Sequence, residues 1–226
     1  MNRNIIITGA AGNLGTAVVE KFTREGFKVI STVAPGKREE MEEANDVYEL
    51  DVTDEAQVAE FAKEYAIQYG GELEAIACLV GGFGMGDLEN TSQADIEKMI
   101  QLNFFSAFNM TKAFLPVFKK SQKGTFLFVG ARPALQPADG KSLVAYTLSK
   151  GMVISLADLV SEEMKGTGVR SHVFVPSIID TPPNREAMAD QDFSKWVSPL
   201  EIAEAMHYAV SSPALRNMTF KLYGGV

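Results

Sequence analysis

The chain has 226 residues, 46% of them hydrophobic and 22% charged, with a net charge of −8 and a pI near 4.9. One α/β domain carries that length without a linker, and the acidic balance argues against a nucleic-acid binder, whose affinity rests on clustered Lys and Arg. No apolar run is read as reaching the eighteen or so residues that span a bilayer, and the one cysteine, Cys78 in the apolar run AIACLV, cannot close an intrachain disulfide.

The stretch MNRNIIITG turns at glycine before a signal peptide's apolar region is complete. The expectation is a cytoplasmic protein with a small-molecule partner, no nucleic acid and no membrane. His172 and His207 have no Cys or carboxylate spaced to join them, so no metal site is expected.

In chain order, β-branched apolar runs predict strands at 4–8, 28–33, 47–50, 75–80, 125–129, 169–175 and 218–223. Helical period fills the gaps: Leu14, Val18 and Phe22 share one face, and Val58, Phe61, Ala62 and Tyr65 another. Strands alternating with helices require crossover connections. The predicted fold is therefore α/β, a doubly wound, parallel seven-stranded sheet with helices on both faces, forming one domain over 1–226. The stretch 176–199 lacks a clear period and holds Pro182 and Pro183; a loop of that length is expected to be functional, here a substrate loop.

The first strand ends in ITGAAGNLG, with Gly9, Gly12 and Gly15 every third residue across a strand-to-helix turn that also contains Asn13 and Leu14. Glycines there accept unusual backbone angles and let a diphosphate reach the free N–H groups of the helix. ELDVTD places Asp51 and Val52 after the third strand, where a carboxylate can accept from an adenine amino group and a valine can pack on the ring; Asp51 as a helix cap is the competing reading. LVGGFG closes the fourth strand with Gly81 and Gly82, where the backbone must approach something closely. About twenty residues past the glycine turn, where an acid would hold the 2′-hydroxyl of NAD, the sequence reads STVAPGKRE. Ser31 and Thr32 with Lys37 and Arg38 suit a 2′-phosphate better, so NADP(H) is favoured and NAD(H) stays possible; an exposed basic turn with no ligand is the alternative.

VAYTLSK sets Tyr146 four residues before Lys150, one above the other on a helix. A nearby ammonium favours the phenolate and brings the proton's pKa down from about 10 toward working range, and the lysine can also donate to ribose hydroxyls. Asn103 in QLNFFSAF is a polar residue among Leu102, Phe104 and Phe105, and needs hydrogen bonds if buried. Phe83, and Phe193 and Trp196 in the 176–199 loop, could stack on a flat substrate or, for the loop pair, anchor the loop to the core.

The order TGxxGxxG, LDVTD, a glycine pair after the fourth strand, YxxxK and Pro-x-x-x-Asp-Thr-Pro resembles the short-chain dehydrogenase/reductase family over nearly the whole chain. VGGF, GARPAL and IDTPPNREAMADQDFSKWVSPLE resemble its dihydropteridine reductase branch. The resemblance implies a Rossmann-like NAD(P)-binding domain in which Tyr146 is the general acid or base and Lys150 binds the nicotinamide ribose. It also implies that Asn103 supports a proton relay, and that the segment with Pro176, Ile179 and Thr181 contacts the nicotinamide end. Family members place a serine at the end of the fifth strand; here Gly130 and Ala131 stand there. The implied activity is NAD(P)H-dependent reduction of a small, planar, conjugated substrate near Phe83, Ala131 and Trp196. The alternatives are an ordinary carbonyl or alcohol oxidoreductase, or a dinucleotide-binding sensor or scaffold weakened by Ala131. Apolar residues on more than one face of the helices around 103–118 and 146–164 predict a homodimer or homotetramer.

Overall fold

In the computed structural model, which describes residues 3–41 and 46–225, seven parallel strands form one sheet in the order β3-β2-β1-β4-β5-β6-β7. They are β1 (Asn4–Thr8), β2 (Lys28–Val33), β3 (Val47–Glu49), β4 (Ala75–Cys78), β5 (Lys123–Val129), β6 (Gly168–Pro176) and β7 (Asn217–Leu222). The helices are α1 (Asn13–Arg24), α2 (Glu55–Tyr69), α3 (Gln93–Met99), α4 (Ser106–Ser121), α5 (Arg132–Leu135), α6 (Val144–Glu163), α7 (Pro182–Ala187) and α8 (Pro199–Ser211).

Strands buried on both faces read as continuous apolar runs, and NIIIT of β1 is buried at every position. Alternate residues feed two cores. Ile6, Ile76, Phe126 and Val173 face Phe61, Phe114 and Val153 of α2, α4 and α6, while Ile5, Ile7 and Phe174 face Phe22 of α1 and Ile202 of α8. Each large apolar side chain so buried contributes roughly 1.5–3 kcal/mol.

The chain runs outward from β1 to β3, then crosses to β4 on the other side of β1. Such a reversal leaves a crevice beyond the carboxyl ends of the two middle strands. There β4 leaves the ladder at Cys78, short of the expected Val80, and the Leu79 N–H donates to Thr8 Oγ1 at 3.0 Å.

Two segments differ from the sequence reading. The stretch 176–199 contains α7 and a 3-10 turn at Phe193–Lys195, so it is a structured flap. Helix α6 is long and apolar enough to cross a membrane, with mean hydropathy 1.2, contrary to the expectation that no run reaches that length. It packs instead as a core helix, burying Val153, Leu156, Ala157 and Val160.

Candidate active site

The crevice is built from strand ends. Gly9, at φ +66, turns the chain out of β1, and a Cβ there would meet Val80 Cγ2 at 3.1 Å. Its carbonyl accepts from the Gly12 N–H at 3.0 Å, which closes the turn onto α1. Gly12 is the N-cap, no side chain caps it, and the first turn through Asn13 and Leu14 carries no acid. The free N–H groups and the positive end of the helix dipole are thus left for an anion. Gly15 has a different task from its two partners. A Cβ there would lie 2.1 Å from the Gly9 carbonyl oxygen, so it lets the helix pack on its own turn.

Gly81 and Gly82 leave room for side chains of this same chain. A Cβ on Gly81 would come within 2.6 Å of Asn103 Oδ1 and 3.2 Å of Lys150 Nζ, and one on Gly82 within 2.8 Å of Leu102 Cδ1. Asn103 lies on a π-helical turn, Ile100–Phe105, that joins α3 to α4. Such turns recur at functional sites because the widened ladder re-aims side chains. Its amide, 1% exposed, accepts from the Gly82 N–H at 2.8 Å and donates to the Gly82 carbonyl at 3.1 Å and to Ser149 Oγ at 2.9 Å. The amide therefore ties the turn after β4 to α6.

On α6, Ser149 donates to the Tyr146 carbonyl at 2.9 Å, which fixes the turn between the tyrosine and Lys150. Lys150, 6% exposed, donates from Nζ to the Val129 carbonyl at 2.9 Å. Burial pulls its pKa down to about 8 and pushes the Tyr146 phenol up to about 12. The expected lowering of the phenol by the ammonium is absent, because desolvation disfavours both charged forms and the ammonium turns toward a strand carbonyl. A phenol held above its ordinary value stays protonated at neutral pH.

At the adenine end, Asp51 Oδ1 accepts from Thr53 N–H at 2.9 Å and Thr53 Oγ1 at 2.7 Å, while Asp54 caps α2. The Val52 side chain is buried in the core, and its carbonyl accepts from Asn109 Nδ2 at 3.1 Å. Thr32 lies inside β2, 1% exposed with its hydroxyl unpaired, and does not stand at the strand's end; Ala34, Pro35 and Gly36 follow there. Lys37 pairs with Glu40, and Arg38 donates to the Val47 carbonyl. Pro176 ends β6, Ile179 bridges to Val197, and Thr181, mostly buried, is the N-cap of α7.

Over residues 3–192 the sequence matches the short chain dehydrogenase family. The chain belongs to the short-chain dehydrogenases. It is an enzyme, an NAD(P)-dependent oxidoreductase. It is 30% identical over 190 residues to 2,3-dihydro-2,3-dihydroxybenzoate dehydrogenase of Escherichia coli K12, covering 84% of this chain and 75% of that protein. It is 27% identical over 214 residues to dihydropteridine reductase of Dictyostelium discoideum, covering 91% and 87%. The narrower resemblance is thus one distant likeness among several and is not specifically favoured. The structure of ElxO with NADP bound superimposes with TM-score 0.89 at 22% identity, covering 100% and 98% of the two chains. Ligand-free aldohexose dehydrogenase of Thermoplasma acidophilum does so with TM-score 0.86 at 23%, covering 99% and 93%. At those identities both show the fold.

This short-chain dehydrogenase fits its dinucleotide in three features: the uncapped α1 N-terminus, the side-chain-free β4 end and the buried Lys150 ammonium. Among the described residues, no three metal-ligating side chains gather. A side chain on Gly130 would be tight, its Cβ 3.1 Å from Val173 Cγ1 and 3.2 Å from Val175 Cγ2, and Ala131 beside it is buried. Phe83 is 63% exposed and meets the Tyr146 ring edge-on at 5.2 Å between centroids. Trp196 is 6% exposed and packs on Phe193 at 4.8 Å between ring centroids, a contact in keeping with the anchoring alternative for the loop pair. Ser149 was missed by sequence reasoning, although a hydroxyl on the buried face of an apolar helix signals a partner.

Proposed function

We propose that this enzyme reduces a small, planar, conjugated substrate, such as a quinonoid dihydropterin. The supporting observation is the exposed Phe83 ring set edge-on to Tyr146 beside a β5 end, Gly130 and Ala131, that bears no hydroxyl. A ketone held in the usual way needs a hydroxyl donor there, whereas a flat ring is held by aromatic contact. A bound reduced nicotinamide supplies the hydride.

The chain's own residues do the rest. Tyr146, protonated at neutral pH, donates its proton to the reduced atom of the substrate, and Lys150, with its pKa of about 8, keeps most of its charge at pH 7. Lys150 also donates to the ribose, and the α1 N-terminus takes the diphosphate. Asn103 keeps the β4 turn and α6 in register. Lys37 and Arg38, and the lack of an acid in STVAPG, favour NADP(H) over NAD(H); ElxO was solved with NADP bound. Exposed Phe105, Leu148 and Leu159 support self-association through α4 and α6 as a homodimer or homotetramer.

Replacing Tyr146 by Phe tests the mechanism. Turnover should fall at least about a hundredfold while coenzyme binding changes little; unchanged turnover refutes the assignment. Assays on quinonoid dihydropterin and a ketone panel test the substrate class, and a preference for simple ketones refutes it.

A further inference from the structure

The sequence has no acid twenty residues past the glycine turn, where one would meet the adenine ribose. The fold brings one there from the next strand. Glu49, the last residue of β3, pairs in register with Val33, the last of β2, and its Oε1 accepts from the Gly36 N–H at 3.2 Å. Gly36, at φ +77, turns that N–H toward the carboxylate in the loop where a 2′-substituent would lie. The two nearby cations are engaged elsewhere, Lys37 with Glu40 and Arg38 with the Val47 carbonyl.

We infer that Glu49 is a specificity-determining residue at the 2′-position: its carboxylate accepts from the ribose hydroxyl of NADH and opposes the 2′-phosphate of NADPH for the same loop. This rests on the nicotinamide-dependent reaction proposed above. Glu49 and the Lys37–Arg38 pair then pull in opposite directions, and Glu49 narrows the preference for NADPH that the two cations give. Like charges about 4 Å apart at a partly solvated edge are worth roughly one to two factors of ten in affinity.

Glu49 is exposed, so its replacement leaves the core intact. The test is fluorescence titration of NADH and NADPH separately into the wild type, Glu49→Gln and Glu49→Ala. Glu49→Gln keeps an acceptor for Gly36 and removes only the charge; the ratio of NADH to NADPH dissociation constants should rise tenfold or more. Glu49→Ala should shift the ratio likewise and also weaken NADH several-fold. A ratio within about twofold of the wild type in both variants overturns the role of Glu49 and leaves the reaction standing. A wild type that binds neither coenzyme overturns the nicotinamide reading, and the inference with it.

Discussion

His172 sits on β6 fully buried, with both ring nitrogens unpaired and Phe220 edge-on at 6.0 Å. Burial first, then the positive charges of Arg170 and Arg216, pulls its pKa down to about 4. The unfolded chain takes up this proton near pH 6.5, so between about 6.5 and 4 the unfolded state binds more protons and stability falls as the pH falls. Urea unfolding at pH 7 and pH 5 should show the wild type losing about 2 kcal/mol more than His172→Leu; equal losses would remove His172 as the cause. The same desolvation governs Tyr146 and Lys150. Their spacing was legible in VAYTLSK, but the direction of the phenol's shift was not, because it depends on how deep α6 lies and which carbonyl the ammonium meets. Glu49 was illegible for a related reason: proximity across a β2–β3 pairing cannot be read from separation along the chain.

At the scale of elements, strong apolar runs bounded by turns gave strand positions to within two residues; in the central strands burial on both faces leaves no alternation to misread. The π-helical turn at Ile100–Phe105 and α7 carried no such signal: one is fixed by the distant bond from Asn103 to Gly82, the other by a side-chain bond from Asn184 Nδ2 back to the Ile179 carbonyl of the preceding loop. The β1–α1 turn was legible as glycines but not in its division of labour. Because a Cβ on Gly15 would lie 2.1 Å from one carbonyl oxygen and 2.7 Å from another, both backbone, the turn cannot relax cheaply. Gly15→Ala should cost about 1–3 kcal/mol or more and lower the melting temperature by several degrees. Coenzyme affinity should fall with it, since the first-turn N–H groups move. A melting temperature and affinity equal to wild type would show the turn to be softer than its contacts imply.

At the scale of the whole molecule, the sheet order places every strand end that carries chemistry on one edge, and the helix-bearing faces are left for packing. Helix α6 illustrates both uses. Its inner face supplies Lys150 and core residues, while Leu148 and Leu159 stand 52% and 68% exposed, and Phe105, where the π-helical turn runs into α4, is exposed as well. A helix of 20 residues is about 30 Å long. Stable interfaces bury roughly 800 Å² per partner, and we propose that two such helices, paired with their α4 neighbours about a two-fold axis, supply that face. Leu159→Asp costs a lone chain almost nothing, because the side chain is already in water, yet in a pair it buries two like charges in an apolar contact. Sedimentation equilibrium should therefore find the wild type at twice or four times the 24.6 kDa of one chain and Leu159→Asp nearer a single chain. A wild type that sediments as one chain would instead leave these leucines as ordinary exposed side chains.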